Sequence, residues 1–388
     1  MNDFIYEIPT KIYFGDQLAH LHEEIKVYGK RVLLCYGGGS IKKSGLYDKV
    51  VAEVKKAGAL LYELSGIEPN PRITSVRKGA QLCKDEKVDL VLAVGGGSVI
   101  DCAKFVAAGA YYAGDAWDIV LHKTTVEKCL PIISVLTLSA TGSEMDNCGV
   151  ISNLETNEKI GAGYDPMRPK VSFLDPANTY TVSAYQTACG AADILSHIIE
   201  VYFSKSPALY MIDGFMETLM RTVVKYAPIA MKDPENYEAR ANLMWTSSWA
   251  INGFIACGND TAWSCHTMEH ILSAFYDITH GLGLAILTPR WMKHCLNEKT
   301  LPRFVQFGVN VMGIDSSLPP QTIAEQAIEK FADFLYGTLG LKSTLTAVGI
   351  DKTNLKKMAD EAIAHGNFQN TFVPLTAQDI LKIYEACL

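Results

Sequence analysis

Two hydrophobic patterns divide the chain. In the first half, short apolar runs end in glycine or a polar turn: RVLLCYGGG, ALLYELSG, VDLVLAVGGGS and LPIISVLTLSATGS. Between them lie GLYDKVVAEVKKAG, NPRITSVRKGAQLCKDE and SVIDCAKFVAAGA, whose apolar positions recur at helical spacing. Unbroken Val/Ile/Leu runs are buried on both faces, so this alternation predicts a parallel sheet covered by helices on each side. TKIYFG, near the start, reads as an extra edge strand, and Asn70 and Pro71 read as the N-cap and first turn of the NPRITSV helix. After about Asp175 the strand signals fade. SAYQTACGAADILSHIIEVYFS, ALYMIDGFMETLMRTVVKYAPIA, YEARANLMWTSSWAINGF, QTIAEQAIEKFADFLYGTLG and AQDILKIYEACL all carry a 3.6-residue period. The expectation is an α/β domain over residues 1–180 and an all-helical domain over 181–388, joined near LDPANTYTV.

Composition narrows the function classes. The chain has 388 residues, 48% of them apolar and 20% charged, which suits a soluble protein with a large core. Net charge is −7 and no Lys/Arg run occurs, so neither nucleic acid nor an anionic membrane is an expected partner. The N-terminus lacks a signal-peptide pattern, and no apolar run reaches the roughly 18–20 residues of a membrane span. VDLVLAVGGGSVIDCAKFVAAGA comes nearest, but Asp101, Lys104 and three glycines interrupt it. Ten cysteines without C-x-x-C spacing read as reduced thiols of a cytoplasmic protein.

Three polar turns follow predicted strands, where open parallel sheets bind ligands. GGGSVID supplies Gly95, Gly96, Gly97, Ser98 and Asp101 between a strand and a helix. Glycines let the backbone approach a phosphate, and the helix N-terminus favours its charge. The spacing is not G-x-G-x-x-G, and a tight strand-to-helix turn without a ligand explains it as well. YGGGSIKK offers Gly37, Gly38, Gly39 and Ser40, with Lys42 and Lys43 and no acid before Leu46. An NAD site commonly places an acid here, whereas two lysines suit a 2′-phosphate, so this turn favours NADP over NAD. TLSATGSEMD adds Thr137, Ser139, Thr141 and Ser143, which can bond a ribose or amide or cap a helix.

HTMEHILSAFYDITHG concentrates three of the nine histidines, His266, His270 and His280. The first two, four apart, share a helix face. On one straight helix His280 would lie about 21 Å from His266, so a shared ion requires the chain to turn back. DITHGLG, ahead of LAILTPRWMKHCL, permits that. Upstream, Asp193 and His197 are also four apart on an otherwise apolar helix, where a lone buried carboxylate is costly. A divalent cation held by Asp193, His197 and two of the downstream histidines answers that cost, and three imidazoles with a carboxylate suit Fe²⁺ or Zn²⁺. Hydrogen-bonded core histidines are the alternative.

Taken in order, FIYEIPTKIYFG, YGGGSIKKSGLYD, GIEPNPR, LAVGGGSVIDCAK, LTLSATGSEMD, the Asp193/His197 helix and HTMEHILSAFYDITHG resemble the iron-containing (group III) alcohol dehydrogenases. Within that family the match falls to the NADP-dependent butanol dehydrogenase and broad-range aldehyde reductase branch. The resemblance implies a Rossmann-like dinucleotide-binding α/β domain with a parallel sheet, an all-α metal-binding domain, and an active site in the cleft, as in the superfamily of dehydroquinate synthase. It implies metal ligands Asp193, His197, His266 and His280, with His270 a non-ligand that relays a proton. It implies cofactor contacts from Gly38, Gly39 and Ser40, from Gly95, Gly96, Gly97, Ser98 and Asp101, and from Thr137, Thr141 and Lys159, with Asn70 reaching the cofactor from a proline-bounded loop. The implied reaction is hydride transfer between NADP(H) and small aldehydes or primary alcohols such as butanal and butanol, in a homodimer joined through N-terminal strands, with one Fe²⁺ or Zn²⁺. Leu138 departs from the pattern, since some relatives carry Thr there. Trp245, Phe254, Ile255 and Trp263 are candidate walls of an apolar substrate site. The rival readings are an NAD- and metal-using lyase of the dehydroquinate synthase type, a metal hydrolase and a nucleotide sensor.

Overall fold

The computed structural model describes residues 1–388. The chain divides into an α/β unit, Glu7–Val182 with Pro234–Asn252, and a helical unit, Met1–Tyr6, Ser183–Asp233 and Gly253–Leu388. The main division falls at Val182, beside the LDPANTYTV segment, but it is not one cut. The YEARANLMWTSSWAINGF helix, expected in the helical domain, belongs to the α/β unit. Periodicity announces a helix; it does not say which core its apolar face joins.

The α/β unit runs β1 (Lys11–Phe14), α1 (Leu21–Tyr28), β2 (Arg31–Tyr36), α2 (Ser40–Lys43), α3 (Leu46–Lys56), β3 (Leu60–Leu64), α4 (Ile73–Asp85), β4 (Leu90–Gly95), α5 (Gly97–Gly109), α6 (Ala116–Val120), β5 (Ile132–Leu136), β6 (Cys148–Asn153), β7 (Glu158–Gly163) and β8 (Val171–Leu174). Six strands form a parallel sheet in the order β1-β8-β5-β4-β2-β3. TKIYFG is the edge strand expected of it. Side chains alternate between faces. Leu33, Cys35, Val91 and Ala93 enter one core with Val76 of α4 and Phe105 of α5. Val32, Leu34, Leu90 and Leu92 enter the other with Ile25 of α1 and Val50 of α3. Burial on both faces is why these strands are continuously apolar.

Two features escaped the apolar pattern. β8 is only VSFL, and β6 pairs with β7 as a separate antiparallel hairpin. CGVISN and EKIGAG contain glycine and charge and show no continuous run. The reading of Asn70 and Pro71 as a helix start is also corrected. α4 begins at Ile73 after an extended Arg72, and Asn70 has φ +50°, a left-handed conformation that asparagine tolerates better than most residues. The Pro71 carbonyl instead accepts the Ser152 N–H at 2.8 Å, docking this loop on β6.

The helical unit contains α7 (Ala184–Tyr202) and α8 (Tyr210–Lys232), and, after α9 (Tyr237–Trp249) of the other unit, α10 (Cys265–Tyr276), α11 (His280–Cys295), α12 (Leu301–Asn310), α13 (Pro320–Asp333), α14 (Leu355–His365) and α15 (Ala377–Ala386). α7 is buried without a break from Thr187 to Tyr202. Gly281 of α11 lies so close to α7 that a Cβ there would sit 2.0 Å from the Cys189 carbonyl oxygen. That glycine is a contact between helices, not a turn. All ten cysteines are free thiols, and no helix is long and apolar enough to cross a membrane.

Candidate active site

The sheet order places the three polar turns together. Strand order reverses between β2 and β4, the point at which doubly wound sheets bind nucleotides. Tyr36 pairs with Val94 across β2 and β4, and Gly95 with Leu136 across β4 and β5. The turns at 37–40, 95–98 and 137–143 therefore leave neighbouring strands at one end of the sheet. Ser40 opens α2 behind Gly39, whose φ of +106° favours glycine. Gly96 is the N-cap of α5, and neither a capping side chain nor an acid occupies that helix's first turn. An anion can therefore occupy this N-terminus. A Cβ on Gly97 would fall 2.2 Å from Thr141 Oγ1, so glycine brings the second and third turns into contact. Lys159 is buried on β7 opposite Ser152, the residue that holds the Asn70 loop.

Asp101 differs from the other expected cofactor residues. It is buried, and both carboxylate oxygens are used inside the unit: Oδ1 accepts from Ser143 Oγ at 2.6 Å and Oδ2 from the Val150 N–H at 2.9 Å. Burial pushes its carboxyl up to about 6 against the pull of Lys104. Lys104, fully buried one turn on, donates to Asp146 and to the Cys148 carbonyl, each at 2.5 Å. These bonds fasten α5 to the 143–150 segment.

In the helical unit, α10 ends at Tyr276 and Asp277 turns left-handed, with φ +49°. α11 then starts at His280 itself, so the chain doubles back as a shared ion requires. The His266 and His280 rings come within 5.2 Å, centroid to centroid. One atom is the focus. Asp193 Oδ1 is buried, makes no hydrogen bond, and lies 3.6 Å from His197 Nε2, 3.6 Å from His266 Nε2 and 3.5 Å from His280 Nε2. Those separations are too long for hydrogen bonds. They match the edge of a tetrahedron of N and O ligands about 2.1 Å from one ion, which is about 3.4 Å. Asp193, His266 and His280 form a group whose ligand atoms lie within 4.8 Å of one another, and His197 joins through Asp193 with its ring stacked on His266 at 4.6 Å. The donor set fits one divalent ion.

His270 stands beside this group, its ring 6.2 Å from His266 and 5.5 Å from His280. Trp263 meets His197 and His266 edge-on at 6.1 and 5.2 Å. Of the other wall candidates, Trp245 packs on Phe14 and Trp249, Phe254 on Tyr6 and Phe215, and Ile255 is buried.

Titration follows the local partners. Burial works against the Asp193 carboxylate, but His197, His280 and His266 around it hold its carboxyl below the usual range. Burial drives His197 down to about 3, leaving a neutral ring. Burial acts the same way on His266, but Glu200 behind its other nitrogen raises it to about 9.

Two functional candidates were missed in the sequence, Glu200 and Glu269. Glu200 Oε1 meets His266 Nδ1 at 2.5 Å, and Glu269 Oε2 meets His280 Nδ1. A signal existed: Asp193, His197 and Glu200 sit at i, i+4 and i+7 of an apolar helix, on one face.

Comparison with known proteins identifies the family. Residues 9–176 match the iron-containing alcohol dehydrogenase family and residues 187–388 its C-terminal domain. The NADH-dependent butanol dehydrogenase A of Clostridium acetobutylicum is 54% identical over 387 residues, covering 99% of each chain. The NADPH-dependent aldehyde reductase YqhD of Escherichia coli is 40% identical over 293 residues, 74% of this chain and 75% of that one. Among solved structures, the butanol dehydrogenase A of Thermotoga maritima superposes with a TM-score of 0.95 at 40% identity, covering 100% of this chain and 99% of that one. These relatives do not favour the lyase reading. The chain belongs to the iron-containing alcohol dehydrogenase family, and it is an oxidoreductase that works with a divalent metal and a nicotinamide cofactor.

Proposed function

We propose that this chain interconverts short aliphatic aldehydes, such as butanal, and their primary alcohols, using NADP(H) and one Fe²⁺ or Zn²⁺ held by Asp193, His197, His266 and His280. The convergence of three imidazole Nε2 atoms on the unbonded Asp193 Oδ1 carries this reading. When bound, the ion supplies positive charge against the carbonyl oxygen and the reduced nicotinamide supplies the hydride. The chain's own residues do the rest. The 95–98 turn and the α5 N-terminus bind the pyrophosphate, and Gly38, Gly39 and Ser40 the adenosine end. Thr137, Thr141 and Lys159 orient the ribose and nicotinamide. Asp101 acts through Ser143 and Val150, fixing the turn. His270 passes a proton to the product oxygen. Trp263, on the rings of two ligands, bounds the substrate on its apolar side.

A second cofactor reading has a specific observation behind it. Lys42 Nζ sits over the rings of Tyr36 and Tyr47 at 5.0 and 4.6 Å, and both tyrosines donate to Glu63. A lysine engaged in this way is a weaker partner for a 2′-phosphate, and the butanol dehydrogenase relatives are named NADH-dependent. We assign the chain to the cytoplasm, as a dimer through its N-terminal strands; the edge strand β1 supports that pairing.

The test is oxidation of NADPH and of NADH with butanal, on metal-stripped protein reloaded with Fe²⁺ or Zn²⁺. Expected are activity only after reloading and a higher kcat/KM with NADPH. A several-fold preference for NADH overturns the NADP assignment. In Asp193→Asn, bound metal and turnover should fall together, turnover by roughly 10³-fold, since a Lewis acid contributes several kcal/mol. Full turnover without metal overturns the metal reading.

A further inference from the structure

The three histidines that converge on Asp193 are not supported alike. His197 Nδ1 is buried with no hydrogen-bond partner. His266 and His280 each have a carboxylate behind Nδ1, and both carboxylates, Glu200 and Glu269, are buried.

Glu200 is held from three directions. Its Oε2 accepts the Cys265 N–H at 2.8 Å, and its Oε1 accepts the His266 N–H at 2.9 Å as well as His266 Nδ1. Cys265 and His266 are the first residues of α10. Ser264, in the N-cap position, makes no side-chain cap bond. A carboxylate from α7 therefore caps α10, where the helix dipole favours negative charge. Glu269 is held at both ends too: Ser273 Oγ donates to Oε1 while His280 Nδ1 meets Oε2. Gly283 makes room for it, since a Cβ there would lie 2.8 Å from Glu269 Cγ.

We infer that Glu200 and Glu269 are positioning residues of the metal centre. By accepting from Nδ1, each keeps the proton on that nitrogen and leaves Nε2 as the lone-pair donor, with the ring turned toward Asp193. Each also adds a negative charge one imidazole away from the ion. The cation therefore meets three carboxylates rather than one. Carboxylates behind ligating histidines act in this way at many metal sites. This inference rests on the metal reading above and adds to it two residues outside the ligand set.

The experiment measures the Zn²⁺ dissociation constant by chelator competition on metal-stripped protein. The variants are Glu200→Gln, Glu269→Gln and, as a control, Glu217→Gln. Glu217 is buried in the same unit but bonds Tyr202, Gln306 and Asn310 instead. The melting temperature of each metal-free protein is recorded beside it. Expected is a roughly 10- to 100-fold loss of Zn²⁺ affinity in Glu200→Gln and Glu269→Gln. The metal-free melting temperature of Glu269→Gln should stay close to that of the parent, that of Glu200→Gln should fall because the α10 cap is weakened, and Glu217→Gln should keep the parent affinity. Because Glu200 also caps α10, Glu269→Gln is the decisive variant: parent affinity there overturns the inference, whatever Glu200→Gln does. An equal loss in Glu217→Gln overturns it as well, by showing a general effect of fold. A parent protein that binds no Zn²⁺ or Fe²⁺ overturns the metal reading itself and is recognisable before any variant is made.

Discussion

Each unit buries a group of carboxylates, and the two groups are balanced differently. In the α/β unit, Asp101, Glu144 and Asp146 share the interior with Lys104, whose ammonium is paired with Asp146. The positive charge is part of the chain. In the helical unit, the partners of Asp193, Glu200 and Glu269 are the imidazoles of His197, His266 and His280. Imidazoles can be neutral, and three of their nitrogens face one oxygen at a spacing that suits a cation between them. A buried cluster with its own lysine is a clamp; one answered by imidazoles is a socket. The first ties α5 to the 143–150 segment, behind the turn proposed to bind phosphate. The second is the cluster proposed to hold the ion.

The sharpest way to break the contrast is to remove the clamp's cation. Lys104→Met leaves Asp146 buried and unpaired, which should cost about 3–5 kcal/mol of stability. Urea unfolding checks the loss, and elemental analysis of the folded fraction should find the parent metal content. An equal loss of metal would show that the clusters are not independent.

A smaller effect concerns Glu144. Burial pushes its carboxyl from 4.5 up to about 7, against the bond from Ser248. An acid whose folded pKa is raised binds an extra proton in the folded chain between those values. Stability therefore falls as pH rises from about 4.5 to 7, and the full cost is present above that range. Relative to Glu144→Gln, the parent should lose up to roughly 3 kcal/mol across that window. Thermal melts at half-unit pH steps measure it, and parallel pH profiles would remove Glu144 as the cause.

The smallest effects set one glycine against another. Gly97→Ala crowds Thr141 and Gly281→Ala crowds Cys189, each at a predicted cost of about 1–3 kcal/mol. Gly97→Ala should weaken NADPH binding, followed by fluorescence, and keep the metal. Gly281→Ala should lower metal content and keep the nucleotide. A swap of these outcomes would reverse the roles given to the two units.

The sequence by itself determined the parallel sheet, because strands buried on two faces must be apolar at every position. It also marked the glycine-rich turns after such strands as places where a backbone can approach an anion, without separating that use from a tight strand-to-helix turn. Asp193 with His197 was legible as a polar pair four apart on an otherwise apolar helix, while the choice of His266 and His280 among the three downstream histidines came from the family resemblance. Only the tertiary structure decided the rest. The β6–β7 hairpin and the four-residue β8 carry too little apolar pattern to stand out. α9 joined the α/β core because helical spacing fixes a buried face but not its partner. Asp101 proved to be spent on Ser143 and Val150, a fact no local pattern contains. Glu200 and Glu269 acquired meaning only when helix packing set each against an imidazole, since a carboxylate's role depends on what lies within about 3 Å of its oxygens and that distance is fixed between helices, not along them.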